Sequence, residues 1–231
     1  MYRNLKISLC LPCRNEGEHL ASTLAGIPEI VDEVIVISNR STDDTVAVAM
    51  SLGATVIEED RVINNIGYGY ALMTGFSSAT GDIIVSGDAD GTYPFGDIAK
   101  AVDYLIDNKL NFVSCARYPL PDKSHVPLQL RLGIFLLNNE FRLLYGKKTN
   151  DILSGMWVFE RSSLEDLHLS EGDWNLSPQI KVNAMTSKKI RSGEFQIVEA
   201  PRKGVSHQRY FQTGLSHAIW ILKNRFSRSS H

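Results

Sequence analysis

Short apolar runs recur through the first half of the chain, and a stretch with amphipathic helical spacing follows most of them. "KISLCL" (6–11), "EVIVIS" (33–38), "ATVIEE" (54–59), "DIIVSG" (82–87) and "NFVSCA" (111–116) each read as a buried strand. Between them, "NEGEHLASTLAGI" sets Leu20, Leu24 and Ile27 at helical spacing, with Asn15 as a candidate N-cap and Glu16 and Glu18 in the first turn. "STDDTVAVAMSLG" opens with Ser41 and Asp44 at capping-box spacing and closes on Gly53. "GYGYALMTGFSSATG" and residues 94–107 read as two further helices. This alternation predicts an α/β fold, a mostly parallel sheet covered by helices on both faces.

The second half is less regular. "PLPDKSHVP" (119–127) is a proline-punctuated loop, and "LQLRLGIFLLNNEFRLLYG" (128–146) reads as an amphipathic helix with a heavy apolar content. "DILSGMWVFE" begins as a loop and continues as a strand. "SPQIKVNAM" reads as a helix, "FQIVEA" as a strand and "TGLSHAIWILKNRFSR" as a short C-terminal helix. Helix 128–146 has two readings, core or interfacial. In the second, Leu132, Phe135, Leu136 and Leu143 enter a lipid surface while Arg131, Arg142, Lys147 and Lys148 meet headgroups. Ile219, Trp220 and Leu222 give the C-terminal helix the same ambiguity.

Composition narrows the class. The 231 residues are 43% hydrophobic and 22% charged, ordinary for a globular protein, and without repeat, low-complexity stretch or clear linker they are expected to form one domain, 1–231. The net charge of -2 gives no reason to expect a nucleic-acid partner. No apolar run approaches the ~18–20 residues of a spanning helix. The N-terminal apolar run is too short for a signal peptide, and three cysteines fit a reducing compartment. A cytoplasmic protein not integral to a membrane is therefore expected. Cys10 and Cys13 form a "CLPC" with a superficial redox look, but Cys115 alone cannot complete a metal set, and packing at a strand end is the simpler account. His125 and His207 lie in loops without a partner at ligand spacing.

The most informative stretch is "SGDADGTYP" (86–94), at the carboxyl end of the fourth strand. Open α/β sheets bind ligands at that edge, where "PCRNE" and "SNRSTDD" also fall. Asp and Gly are turn formers, so Asp88 and Asp90 could be a turn and a cap. Two carboxylates one residue apart also repel each other, and a divalent cation removes that cost. Mg²⁺ favours one or two protein carboxylates together with phosphate oxygens.

In these segments the chain resembles the family 2 glycosyltransferases, and within them the polyprenyl-phosphate, dolichyl-phosphate mannose synthase-like branch. "LPCRNEGEHL" is similar to the family's P-x-x-N-E segment and "VIVISNRSTDDT" to its V-V-D-(D/N)-x-S-x-D-x-T segment. "GFSSATGDIIVSGDADGTYP" matches its A-x-G-D…D-A-D stretch, "SCARY" a (G/S)-S-R-(F/Y) segment, and "TNDILSGMWVFERSSL" a D-x-x-S-G…F-x-R segment. The resemblance runs from Lys6 to about Arg202. It implies a glycosyltransferase-A fold with a single Rossmann-like sheet, a donor half over about 1–116 and an acceptor half over about 117–231. It also implies a nucleotide-sugar donor, with Pro12, Arg14 and Glu16 at the nucleoside and Ser38 and Asn39 near the base. Asp88, Ala89 and Asp90 would meet the diphosphate, and Asp88, Asp90 and Thr92 would hold Mg²⁺ or Mn²⁺. Asp90, Arg117, Arg131 and Asp151 would carry catalysis, the arginines facing the transferred group and a polyprenyl-phosphate acceptor. Asp151, Ser154 and Gly155 match the acceptor loop. A peripheral association with the inner face of the membrane follows.

The departures bear on substrate. Ser38 stands where the family has a base-contacting aspartate, and "NNIGYGYA" lacks a basic residue usual near this glycine motif. Asn175 and Gln179 stand where many relatives carry acids, one of which deprotonates a hydroxyl acceptor. A phosphate acceptor needs no base, which favours a lipid phosphate. A glycan or other hydroxyl acceptor and a non-catalytic nucleotide-sugar-binding relative remain the alternatives. A sugar nucleotidyltransferase would need a glycine-rich basic loop after the first strand, which "LPCRNEGE" is not.

Overall fold

The computed structural model describes residues 1–120, 126–202 and 209–227. The expected strands form, with the first longer than its apolar run: β1 (Ile7–Cys13), β2 (Glu33–Ser38), β3 (Thr55–Glu58), β4 (Ile83–Ser86) and β5 (Phe112–Ala116). The helices among them are α1 (Gly17–Leu24), α2 (Thr45–Ser51), α3 (Tyr68–Ser78) and α4 (Ile98–Asp107). The second half adds α5 (Leu128–Tyr145), β6 (Trp157–Glu160), α6 (Leu176–Thr186), β7 (Ser192–Gln196) and α7 (Tyr210–Ser227).

One seven-stranded sheet takes strands from both halves, in the order β3-β2-β1-β4-β6-β5-β7. All neighbours pair in parallel except β6, which runs antiparallel between β4 and β5. The sheet is covered on both faces. Leu20 of α1, Ala49 of α2 and Ile98, Ala101, Val102 and Leu105 of α4 fill one side. Leu72 and Phe76 of α3 and Leu176 and Ile180 of α6 fill the other.

Three local expectations are corrected. Asn15 does not cap α1: it lies at φ +56, and its side-chain oxygen accepts from the backbone N–H of Thr42. Ser41 and Asp44 form no capping box. Ser41 Oγ accepts from Asn15 N, and Thr45 N at the start of α2 turns to Asp43. The last strand sits earlier than "FQIVEA": β7 ends at Gln196, because Ile197 N makes the final bond to Ala116 O and Ala200 N then crosses to Thr92 O. Gly53 does end α2, at φ +80.

α5 and α7 pack against each other and on α6 through Leu137, Phe141, Ile152, Val182 and Ile221. Their outer faces remain uncovered. Leu132, Phe135, Leu136 and Leu143 of α5 and Phe211, Leu215, Ile219, Leu222 and Phe226 of α7 are exposed. Trp220 leaves that row, donating its indole N–H to Glu171 at 2.7 Å. Among the described residues no helix is long and apolar enough to cross a membrane. His125 and His207 lie outside the described residues.

Candidate active site

β4 ends at Ser86, and the chain leaves the sheet edge through Gly87, where a Cβ would lie 2.5 Å from the Phe95 ring. Asp88, Ala89 and Asp90 follow. The Ala89 carbonyl accepts from Thr23 Oγ1 of α1 at 2.8 Å, and Gly91 turns the chain at φ +74. Asp90 is buried. Its Oδ1 accepts from Thr92 N at 2.9 Å and Thr92 Oγ1 at 2.7 Å, while its Oδ2 lies 2.7 Å from Arg202 Nη1. Burial, then the adjacent Asp90 charge, push the Asp88 carboxyl up to about 8, against the pull of Arg202.

A cleft of about 920 Å³ opens over this pair. Pro12, Arg14, Glu16 and Asn39 line it, together with Asp88, Ala89, Asp90 and Thr92. Arg14 donates to the carbonyl and side-chain oxygens of Asn65, at 2.5 and 3.0 Å. Burial raises Glu16 to about 7, opposed by Arg202. Ser38 is buried at the last position of β2 and is not part of the cleft wall.

Arg117, just past β5, reaches the cleft but is already engaged. Its Nε and Nη2 grip the two oxygens of Asp151 at 2.6 and 2.9 Å, its backbone N–H adds a third bond, and Nη1 lies 3.5 Å from Glu199. Asp151 is fully buried and outside the wall. Burial would raise its carboxyl, but the Arg117 charge and hydrogen bonds hold it below the ordinary value. Lys181, also fully buried, donates to the Asp151 carbonyl at 2.6 Å, and burial lowers its ammonium to about 7. Burial raises Glu199 to about 7 as well, opposed first by Arg117. Ser154 Oγ bonds to the Cys115 carbonyl, and Gly155 N–H donates to Tyr93 Oη at 2.6 Å. Arg131 stands exposed on the first turn of α5, paired with the Tyr118 hydroxyl, and is not itself part of the cleft wall.

Asn175 and Gln179 have structural partners. Gln179 Oε1 accepts from the backbone N–H groups of Ser170 and Glu171, at 2.9 and 3.0 Å. Asn175 Oδ1 lies 3.0 Å from His217 Nδ1, and its Nδ2 donates to Ser216 Oγ at 3.0 Å and to Asp173 at 3.3 Å. Burial lowers His217 to about 4, so its ring is neutral near pH 7. Asp173 lines the same cleft, beside the Trp174 ring, which is tilted at 34° to Tyr68 with the centroids 4.6 Å apart. Sequence reasoning missed Asp173, Lys181, Glu199, Arg202 and His217. Only Asp173 carried a local signal, as an acid two positions before Asn175.

The acid pair suits a divalent cation. Its donors are hard carboxylate oxygens, and among the described residues no third carboxylate, imidazole or thiolate completes a metal cage, which leaves phosphate oxygens to share the coordination. The Arg202 guanidinium lies against Asp90, marking where positive charge is stabilised.

A sheet with one antiparallel strand inserted at β6 and an acid pair leaving β4 is the glycosyltransferase-A fold. The chain belongs to glycosyl transferase family 2, whose model matches residues 8–168, and it is a glycosyltransferase. It is 29% identical over 226 residues to a low-salt glycan biosynthesis hexosyltransferase of Haloferax volcanii, covering 94% of this chain but 53% of that protein, so it spans about half the length of that relative. It is 30% identical over 160 residues to a dolichyl-phosphate hexose transferase of the same organism, covering 68% and 67% of the two chains. The crystal structure of glucosyl-3-phosphoglycerate synthase from Mycobacterium tuberculosis with Mn²⁺, uridine-diphosphate and phosphoglyceric acid shares the fold. Its TM-score is 0.74 at 21% identity, over 96% of this chain and 78% of that one.

Proposed function

We propose that the chain transfers a sugar, with inversion, from a nucleoside-diphosphate sugar to a polyprenyl phosphate at a membrane surface. One observation carries this reading: the Asp88–Asp90 pair and the α5–α7 pair share a single cleft. Pro127, Gln129, Leu130 and Gly133 from α5 and its approach, with Tyr210 and Gly214 of α7, line it too. The same two helices turn their uncovered apolar rows outward. An amphiphilic acceptor can place its phosphate in the cleft and its chain along the helices. Arg142, Lys147 and Lys148 on and after α5 would meet anionic headgroups on the cytoplasmic face. The likeness to a dolichyl-phosphate hexose transferase supports the same acceptor.

Within the cleft, Asp88 and Asp90 would hold Mg²⁺ or Mn²⁺, whose positive charge would offset the negative charge of the departing nucleoside diphosphate. Thr92 keeps Asp90 oriented. Arg117, locked by Asp151, offers a fixed cation beside the reacting groups, and exposed Arg131 can grip the acceptor phosphate with two donors. The phosphate oxygen is already anionic and attacks without a base.

Asp173 favours a second reading. It brings a carboxylate to the cleft, where it could deprotonate a hydroxyl. Transfer from a radiolabelled nucleotide sugar, offered polyprenyl phosphate or free sugars and glycans, separates the two. Lipid labelling that survives Asp173→Asn supports the phosphate acceptor. Labelling of hydroxyls alone, abolished by Asp173→Asn, replaces it. Binding without turnover would mark a non-catalytic relative.

A further inference from the structure

His217 of α7 is a nearly buried imidazole with one nitrogen committed to the protein and one left over. Its Nδ1 lies 3.0 Å from Asn175 Oδ1, and the roles in that contact are fixed from the other side of the amide. Asn175 Nδ2 faces the Asp173 carboxylate, which only accepts, at 3.3 Å, and donates to Ser216 Oγ at 3.0 Å. The amide therefore turns its oxygen to the ring, Nδ1 carries the proton, and Nε2 keeps a lone pair. Burial holds the ring neutral. Asn175 stands outside the cleft wall while His217 belongs to it, so the edge of the ring that meets the cleft is the one turned away from Asn175, which carries Nε2. Only 4% of His217 is exposed, and among the described residues nothing donates to Nε2. The side-chain polar atoms there that are sealed from solvent without a partner belong to Ser114, Trp157 and Asn224; Nε2, equally without a partner, opens on the cleft.

The neighbours define what would donate to it. Tyr68 and Trp174, with ring centroids 4.6 Å apart, line the same cleft, and the Tyr68 hydroxyl is hydrogen-bonded to Ser177 on the first turn of α6. This wall adjoins the acid pair. Burial, then the Asp88 charge, raise the Tyr68 hydroxyl, and a Cβ on Gly155 would lie 2.7 Å from Tyr68 Oη and 3.1 Å from Tyr93 Oη. Aromatic rings with a few polar atoms at their edges suit a pyranose, whose C–H groups pack on the rings while its hydroxyls make directional bonds. A neutral nitrogen that offers only a lone pair accepts such a hydroxyl. An ionised phosphate brings lone pairs of its own and is repelled. In transfer to a polyprenyl phosphate, the pyranose hydroxyls come from the donor.

We propose that His217 Nε2 accepts a hydrogen bond from one hydroxyl of the transferred sugar, held beside Tyr68 and Trp174, and so selects among hexoses. This rests on the nucleotide-sugar reading above. Calorimetric titration of the whole chain with Mn²⁺ and no acceptor, using UDP-glucose, UDP-galactose, UDP-N-acetylglucosamine, GDP-mannose and free UDP and GDP, finds the tightest nucleotide sugar. Its sugar hydroxyls are then replaced one at a time by fluorine, which cannot donate. At one ring position the replacement should weaken binding about tenfold to a hundredfold, the effect of leaving a nearly buried acceptor unpaired. This perturbation is made on the ligand and leaves the fold untouched. His217→Asn can keep the bond to Asn175 while removing Nε2. Confirmed folded by its melting transition, it should bind the unmodified sugar about tenfold more weakly, be indifferent to fluorine at that position, and bind free UDP or GDP as wild type does. Absence of any sensitive position, sensitivity that persists in folded His217→Asn, or an equal loss for the free nucleoside diphosphate, which would move the contact to the ribose or diphosphate, overturns the proposal and leaves the donor reading in place. Failure of every nucleotide sugar to bind overturns both.

Discussion

Asp151→Asn tests whether Arg117 is a built-in cation or a mobile one. The substitution keeps the side-chain volume and removes one charge. Asp151 is fully buried and the Arg117 side chain is only 6% exposed, so the guanidinium would be left in the interior with Glu199, 3.5 Å from Nη1, as its remaining anion. Breaking a buried pair from one side costs about 3–5 kcal/mol, a large share of the roughly 5–15 kcal/mol that holds a typical domain together. For a chain of this size that is a fall in melting temperature of roughly 6–20 °C. Urea denaturation at pH 7, with the slope checked against wild type, measures it. The folded carboxyl of Asp151 lies below its ordinary value. Its stabilisation is therefore complete above the unfolded carboxylate range and lost as pH falls through the folded value, so the deficit of the variant should shrink as pH drops below about 4. Asp151→Leu combined with Arg117→Met and Glu199→Gln should recover much of the lost stability, since no member of the buried group then carries an unpaired charge. A loss under about 1 kcal/mol at pH 7 would refute the reasoning and free Asp151 for a chemical role.

Asp90→Ala should abolish transfer and Mn²⁺-dependent nucleotide binding while the far-ultraviolet spectrum stays native; full activity in EDTA would contradict the metal assignment. Replacing Phe135, Leu143, Phe211 and Leu215 with serine should remove co-sedimentation with anionic vesicles without lowering the melting temperature, because these side chains touch solvent and not the core. Undiminished sedimentation would locate membrane binding elsewhere. Gly69→Ala places a Cβ 2.1 Å from the Glu171 carbonyl and should cost about 1–3 kcal/mol, with a disproportionate loss of activity as Asp173 and Trp174 shift; a neutral effect in both measurements would show that the 171–173 segment yields freely. Hydrogen bonds from Arg61, followed by those from Thr74, lower Glu59 to about 2, so Glu59→Gln should be less stable than wild type at pH 6, with the gap closing as pH falls from about 4.5 towards 2; a gap constant with pH would exclude the charge as its source.

That Pro12, Arg14, Glu16, Asn39 and Asp88 to Asp90 line one cleft was legible because they lie just past strand ends, and an apolar run followed by a polar turn states where a strand stops. The capping of α1 and α2 was not, because Asn15, Ser41 and Asp43 bond across to each other's segments and the sequence of either one alone reads as a local cap. Lys181 sits in "IKVNAM", where a lysine ordinarily marks the solvent side of a helix. Here α6 is buried on nearly all sides, and the charge is absorbed by a carbonyl 30 residues away. Glu199 and Arg202 follow the last strand, beside a proline, and only the crossing of Ala200 to Thr92 brings them to the acid pair. The exposed rows on α5 and α7 were ambiguous in sequence, since core and interfacial helices share one apolar spacing.

The reversal of β6 divides the cleft-lining segments into two streams along the chain. At this edge the parallel strands deliver residues that have just left the sheet, such as Asp88 and Asn39. β6 delivers residues about to enter it, among them Asp151 and Gly155, and Ser86 joins the two streams by bonding both Gly155 O and Trp157 N. Everything from the end of β5 to the start of β6, including α5, is thus one excursion anchored at two neighbouring strands. On the proposed reading, such an excursion can be exchanged between homologues without disturbing the segments around Asp88 and Asp90. A chimaera cut at Ala116 and Trp157 should keep the nucleotide preference of the parent that supplies the rest of the chain.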